Sequence, residues 1–252
     1  MNDEAAAGSP AGRRRRRILR VIRVAVIGCC TLALAAALLI MVRWPAMAAM
    51  TCPECYGLQR LTGGVYVERG LPAGERARAV RVLATARQRV AAFYGPSTAS
   101  PRILVCTTDE CYRRIGGGGE AGAAVLNEAL MLAPRGVTEV IASHELSHVE
   151  LRHRLRGGTV PQWFNEGLAV VVSDDPRYLG PASAADRCLV EPGGPLPETL
   201  ADWLADGSGN DHLYPRAACA VERWMGEHGG RAAVVELVER LAAGESFERA
   251  AR

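Results

Sequence analysis

The chain has 252 residues, 49% of them hydrophobic, and a formal net charge of +3 at pH 7. This length allows an N-terminal segment plus one core of about 200 residues, which can bury its apolar surface as a single domain. Residues 1–23 carry seven arginines against two acids, whereas residues 44–252 carry 22 arginines against 25 acids. The positive charge therefore belongs to the N-terminal segment and gives no reason to predict nucleic-acid binding.

The N-terminal segment predicts a membrane anchor. Five consecutive arginines at 13–17 precede residues 24–42, a run of nineteen residues without a charge. At about 1.5 Å per residue, such a helix nearly spans a hydrocarbon core of about 30 Å. We therefore expect a basic cytoplasmic tail at 1–17, a single transmembrane helix at 18–43 in a bacterial-type plasma membrane, and the remaining chain outside the cytoplasm. A cleaved signal peptide is the alternative, because residues 46–48 read Ala-Met-Ala, the small-x-small form of a cleavage site.

Cysteines outside the apolar segment predict disulfide bonds, since exported domains with an even number of cysteines usually pair them. The spacing allows three short-range or medium-range pairs without proving any of them: Cys52 with Cys55, Cys106 with Cys111, and Cys188 with Cys219. The Cys-Pro-Glu-Cys motif at 52–55 also permits thiol–disulfide exchange. It does not form a zinc ribbon, because a second Cys-x-x-Cys pair is missing.

After a cysteine-containing linker at 44–60, residues 61–252 are expected to form the folded domain. Alternating apolar residues and turn signals predict strands at 64–68, 102–107 and 124–132, and an arginine-rich amphipathic helix at 73–94 that ends at Gly-Pro. The four glycines at 116–119 predict a flexible loop. No Lys-Ser or Lys-Thr follows them, which argues against phosphate binding.

The next predicted element is a helix that contains His-Glu-Leu-Ser-His at 144–148. Its apolar stripe repeats at steps of three and four residues and includes both histidines. Thr138 is the expected N-cap, and the glycines at 157–158 are the expected stop. Residues four apart on a helix lie on one face, about 5–6 Å between Cβ atoms, so both imidazoles can bind one cation. We expect Zn²⁺, which prefers nitrogen ligands, with Glu145 as the base that activates water.

A third ligand is expected from a second amphipathic helix at 161–169, after a short glycine-containing connection. Such a connection lets the second helix run back beside the first, so Glu166 can meet His144 and His148. A metzincin would instead place a glycine and a third histidine where Leu151 and Arg154 stand. That class is excluded.

These two motifs resemble those of the gluzincin metallopeptidases, the group that contains thermolysin and the aminopeptidase N family. His-Glu-x-x-His is followed, after 17 intervening residues, by Glu166 within Trp-Phe-Asn-Glu-Gly-Leu-Ala at 163–169. The smaller bacterial peptidase MA-like domains are the better match, over roughly residues 60–252. The resemblance implies an α+β fold, with a small mixed sheet packed on the zinc-binding helix and a mainly helical C-terminal part. It also implies zinc held by His144, His148 and Glu166.

Further roles follow from the same resemblance. Two terminal helices are predicted at 211–228 and 231–242, and the first resembles a helix that begins with a tyrosine near the metal. Tyr214 is therefore the candidate donor to the oxyanion, with Tyr178 as second choice. The strand at 124–132 is the segment expected to pair with substrate backbone.

We therefore expect a membrane-anchored zinc metallopeptidase that hydrolyses peptide or protein substrates. The alternative is a membrane-tethered module that binds zinc but does not cleave, and a third possibility is disulfide exchange through Cys52 and Cys55. Two departures limit the resemblance. The Gly-x-Met-Glu-Asn motif for a free amino terminus is missing, and Val170 stands where thermolysin relatives have an aspartate.

Overall fold

The computed structural model describes residues 10–126, 128–191, 193–207 and 212–252. Its helices are α1 (Pro10–Arg43), α2 (Pro45–Thr51), α3 (Ala73–Tyr94), α4 (Asp109–Arg114), α5 (Glu139–Leu155), α6 (Gln162–Ser173), α7 (Leu200–Gly207), α8 (Leu213–His228), α9 (Arg231–Ala242) and α10 (Phe247–Ala250). Its strands are β1 (Leu58–Thr62), β2 (Val65–Glu68), β3 (Arg102–Val105), β4 (Gly122–Val125) and β5 (Ala129–Leu132). Short 3-10 turns lie at Pro53–Tyr56 and Pro134–Gly136.

The five strands form one mixed sheet in the order β1-β2-β3-β5-β4. Strands β2, β3 and β5 are parallel, and the antiparallel strands β1 and β4 form the two edges. Helix α3 connects β2 to β3, as a parallel pair requires a crossover connection. The expected single strand at 124–132 is wrong: the segment is a hairpin, with Leu126 in the left-handed conformation (φ 51°) where β4 ends. The turn leaves β4 as an edge strand.

The expected α+β fold with an N-terminal transmembrane helix is wrong. Strands and helices alternate from β2 to β4, which makes the fold a mixed α/β arrangement, mostly helical, around the five-stranded sheet. The apolar residues 24–42 belong to α1, which begins at Pro10 and also includes the arginines at 13–17. Over the described ranges, no helix combines the length and the apolar content that crossing a bilayer requires. This finding overturns the predicted anchor and the single-pass plasma-membrane location that depended on it.

The sheet separates two apolar clusters, and the alternation of side chains along β3 shows how. Ile103 and Val105 point to the larger cluster, which α3, α5, α6, α8 and α9 complete, whereas Leu104 points to the smaller one. Leu130 and Met131 of β5 divide in the same way. Successive residues of a strand face opposite sides of a sheet, so both faces are covered. The large helical cluster lies on the face that carries α5.

All three disulfide bonds that the spacing allowed are present: Cys52–Cys55, Cys106–Cys111 and Cys188–Cys219. The first closes the 3-10 turn before β1, and the second closes the turn between β3 and α4. The third joins the long loop between α6 and α7 to helix α8. That loop is therefore covalently held beside the helix that carries Tyr214.

Candidate metal centre

Helices α5 and α6 carry the three predicted ligands and pack against each other. Helix α5 begins where predicted, because the Thr138 hydroxyl accepts a hydrogen bond from the Ile141 amide (3.2 Å). It ends at Arg156, which adopts the left-handed conformation (φ 49°) and turns the chain back. Helix α6 is anchored by Phe164, which is fully buried. Burying such a ring contributes about 1.5–3 kcal/mol, so α6 is firmly held against the core.

The side chains of His144, His148 and Glu166 form a cluster that could hold a metal ion, with their ligand atoms within 4.8 Å of one another. Glu166 Oε2 lies 3.4 Å from His144 Nε2 and 3.6 Å from His148 Nε2. Ordinary N–H···O hydrogen bonds are shorter, about 2.7–3.2 Å. Two atoms bound tetrahedrally to one ion at about 2.0–2.1 Å would lie about 3.4 Å apart. The two distances from Glu166 Oε2 to the imidazole nitrogens therefore fit atoms that share one small cation.

Two neighbouring amides on α6 orient the ligands. Nδ1 of His148 lies 2.9 Å from Oδ1 of Asn165. An amide oxygen can only accept, so Nδ1 carries a hydrogen, and Nε2 is the nitrogen that faces Glu166 and could bind a cation once it loses its own proton. The amide of Gln162 donates to Oε1 of Glu166 (2.8 Å), which leaves Oε2 for the cluster. Neither amide was predicted from the sequence, although each lies within four residues of Glu166.

Burial and mutual charge decide the protonation of the metal-free cluster. Burial disfavours a charged imidazole at His148, but the nearby Glu166 carboxylate outweighs it and raises the pKa of His148 to about 9. Burial alone would raise the pKa of Glu166, but the two imidazoles hold this pKa well below its usual range. The metal-free cluster therefore contains a carboxylate and a protonated imidazole at neutral pH, and a cation would displace that proton.

Glu145 lies beside the three ligands, in a cleft of about 410 Å³. The edge strand β4 passes close to it: a Cβ atom placed on Gly122 would lie 2.9 Å from Cγ of Glu145 and 3.0 Å from Cγ2 of Ile141. Only glycine allows this approach, because real Cβ atoms essentially never come under 3.0 Å. Strand β4 and the Glu145 carboxylate thus form one wall of the cleft.

Tyr214 lines the same cleft, and Tyr178 supports it from behind. The ring of Tyr214 lies 6.2 Å from the His144 ring, stacks on Tyr178 at 5.1 Å and meets Trp203 edge-on at 5.0 Å. Burial, followed by the Glu166 carboxylate, raises the pKa of the Tyr214 hydroxyl, which therefore remains a hydrogen-bond donor at neutral pH. Tyr178 does not line the cleft. The geometry thus favours Tyr214 over Tyr178 as the tyrosine beside His144, His148 and Glu166.

Tyr214 reaches this position because α8 packs unusually close to α6. A Cβ atom on Gly167 would lie 2.3 Å from the backbone oxygen of Ala217, so the contact requires glycine. Val170 is fully buried in the core and contributes nothing polar to the cluster. His153 lies outside the cleft, with Nδ1 3.1 Å from the hydroxyl of Thr98.

No protein-family model, curated protein or solved structure matches this chain. The site is therefore defined by its own residues. Two imidazoles and a carboxylate could hold a cation, a second carboxylate lies next to them, and a phenol faces the same cleft.

Proposed function

We propose that this protein is a zinc-dependent peptidase that hydrolyses peptide bonds in the cleft between β4 and α6. One observation carries the proposal: Glu145 lines the same cleft as the cluster formed by His144, His148 and Glu166. A site that only stores or structurally binds a cation has no use for an extra carboxylate next to the ligands. A hydrolase needs that group as its base.

The donor set supports zinc as the cation. Two neutral imidazoles and one carboxylate form a three-residue ligand set that is usual for catalytic zinc, with one coordination position left open. Sites for Mg²⁺ and Ca²⁺ are instead built mainly from oxygen atoms. When bound, zinc supplies Lewis-acid chemistry, polarising a carbonyl oxygen and acidifying water.

The chain itself supplies the proton transfers and the orientation. The carboxylate of Glu145 takes a proton from the attacking water and delivers it to the amine that leaves. The hydroxyl of Tyr214 donates a hydrogen bond to the carbonyl oxygen as negative charge develops there. Asn165 keeps His148 in the tautomer that a cation requires. Strand β4 forms one edge of the sheet beside these groups, and an extended substrate can add along that edge as a further strand.

The test compares Glu145→Gln with the wild-type protein. Zinc content is measured by inductively coupled plasma mass spectrometry after dialysis, and cleavage is measured on a denatured protein substrate with and without 1,10-phenanthroline. Glu145→Gln should retain about one zinc per chain and lose cleavage by several orders of magnitude, because the amide keeps the shape but cannot accept the proton. Glu227→Gln, at an exposed position of α8, is the matched control.

The outcomes separate the two candidate functions. Full activity in Glu145→Gln would remove this residue from the mechanism. Zinc binding without any cleavage by the wild-type protein would instead support a metal-binding module that is not an enzyme.

A further inference from the structure

Among the residues that the structure describes, the cleft has no charged group left over to anchor the end of a peptide. Apart from the proposed ligands His144, His148 and Glu166 and the proposed base Glu145, its described lining has no ionisable group other than Tyr214, and no arginine. The chain also contains no lysine. A carboxypeptidase needs a cation for the substrate's terminal carboxylate, and an aminopeptidase needs a further carboxylate for the terminal amine. Neither is present among the described residues that line the cleft.

What the cleft does carry is exposed apolar side chains. Leu126 and Leu200 both line it, with 63% and 56% of their surfaces exposed. On α7, Leu204 follows Leu200 by one turn and is 65% exposed, so the apolar surface continues outward along the helix. Exposed apolar side chains that group at a cleft mark a binding surface, whereas single exposed leucines are ordinary.

The two leucines belong to different elements that line the cleft. Leu126 directly follows β4, whose Gly122 contacts Glu145. Leu200 begins α7, whose Trp203 packs against Tyr214. A substrate that enters the cleft to reach Glu145 would therefore meet an apolar side chain from each of these two elements. Its own side chains next to the reacting bond would be the groups that cover these leucines.

We propose that the cleft selects internal peptide bonds flanked by bulky apolar side chains, so that the protein is an endopeptidase for apolar segments of unfolded polypeptides. This inference rests on the proposed peptidase function. The reaction is hydrolysis: the C–N bond of the amide breaks, the water oxygen bonds to the carbonyl carbon, and the nitrogen receives a proton. No oxidant or reductant is needed.

The first experiment uses peptides with an acetylated N-terminus and an amidated C-terminus, and with Leu-Leu, Ser-Ser or Asp-Asp at the centre. Mass spectrometry of the products should show cleavage of the blocked Leu-Leu peptide within its central segment. The value of kcat/KM for Leu-Leu should exceed that for Ser-Ser by about tenfold or more, the usual discrimination of an apolar contact. Cleavage restricted to peptides with a free end, or a preference for Asp-Asp, would overturn the inference.

The second experiment replaces the leucines. Leu126→Asn and Leu200→Asn should each lower kcat/KM for the Leu-Leu peptide by about tenfold while they lower that for Ser-Ser much less. Leu189→Asn is the matched control, because Leu189 is 53% exposed but does not line the cleft. Equal losses on both peptides would mean that the leucines do not select substrate, and the inference would fail.

The outcomes distinguish a failure of the endopeptidase inference from a failure of the proposed peptidase function. If the wild-type protein trims unblocked peptides but leaves blocked ones intact, it is an exopeptidase. In that case the inference fails and the proposed peptidase function stands. If zinc-loaded protein cleaves no peptide at all, the proposed function fails and the inference fails with it.

Discussion

Gly122→Ala should weaken catalysis without removing any proposed catalytic or ligand residue. The added Cβ would lie 2.9 Å from Cγ of Glu145, whereas ordinary van der Waals contact begins near 3.4 Å. The carboxylate and β4 must therefore separate by about 0.5 Å. A misplacement of about 1 Å can cost about 100-fold in rate, so we expect kcat/KM to fall roughly tenfold. The backbone of Gly122 is outside the left-handed region, so alanine brings no conformational strain there.

The assay measures kcat/KM on one peptide, together with zinc content and the thermal unfolding midpoint. Zinc content should be unchanged, because the three atoms nearest the new methyl group belong to Glu145 and Ile141 and none to a proposed ligand. Gly119→Ala is the control: it lies three residues earlier, and its Cβ would meet nothing within 4 Å. Unchanged activity in Gly122→Ala would refute the tight contact between β4 and Glu145. A loss of zinc would show that the damage lies in the ligands instead.

Three further predictions concern the metal cluster and its support. Asn165→Ala removes the group that orients His148 and should lower zinc affinity about 10–100-fold, measured by competition with a chromophoric chelator; an unchanged affinity would mean that the tautomer is set otherwise. Because the pKa of His148 in the metal-free protein is about 9, zinc must displace one proton at neutral pH, and its affinity should rise about tenfold per pH unit from pH 6 to 8. A pH-independent affinity would contradict this. Glu150→Gln should lower the free energy of unfolding by about 2 kcal/mol at pH 7, since the buried carboxylate accepts hydrogen bonds from Ser97, Thr98 and Arg154.

The pH dependence of the Glu150 effect follows from the sign of its shift. Burial would raise the pKa of Glu150, but the hydrogen bonds from the Thr98 backbone and from neighbouring side chains lower it below its usual value of 4.5. A carboxyl group with a depressed folded-state pKa stabilises the fold above its unfolded-state pKa, and this contribution disappears as the pH falls through the folded-state value. Denaturant unfolding of both proteins should therefore show a difference that is constant above about pH 5.5 and narrows below about pH 4.5. A difference that widens in acid would contradict the assignment.

Local rules explain what could be predicted about the cluster. Residues four apart on a helix share a face whatever the rest of the protein does, so the facing of His144 and His148 could be derived from spacing. A short connection between two helices limited where Glu166 could lie. The pairing of Cys106 with Cys111 could also be suggested from spacing, because few residues separate the two cysteines.

Contacts between distant segments could not be derived in this way. Spacing alone does not place Gly122 against Glu145 or Trp203 against Tyr214, since these pairs depend on how the sheet and α7 pack. The break at Leu126 was missed as well, because only Asn127 and Glu128 interrupt the apolar residues and neither glycine nor proline marks the turn.

The membrane anchor shows the limit of judging a segment alone. Residues 24–42 have the length and composition of a membrane span when they are considered by themselves, but in the structure they belong to the longer, arginine-containing helix α1. The sequence by itself determined the local elements: two histidines on one face and the bounds of α3 and α9. Only the tertiary structure decided which distant groups surround the metal cluster, because side-chain contacts across elements depend on the packing of the whole core.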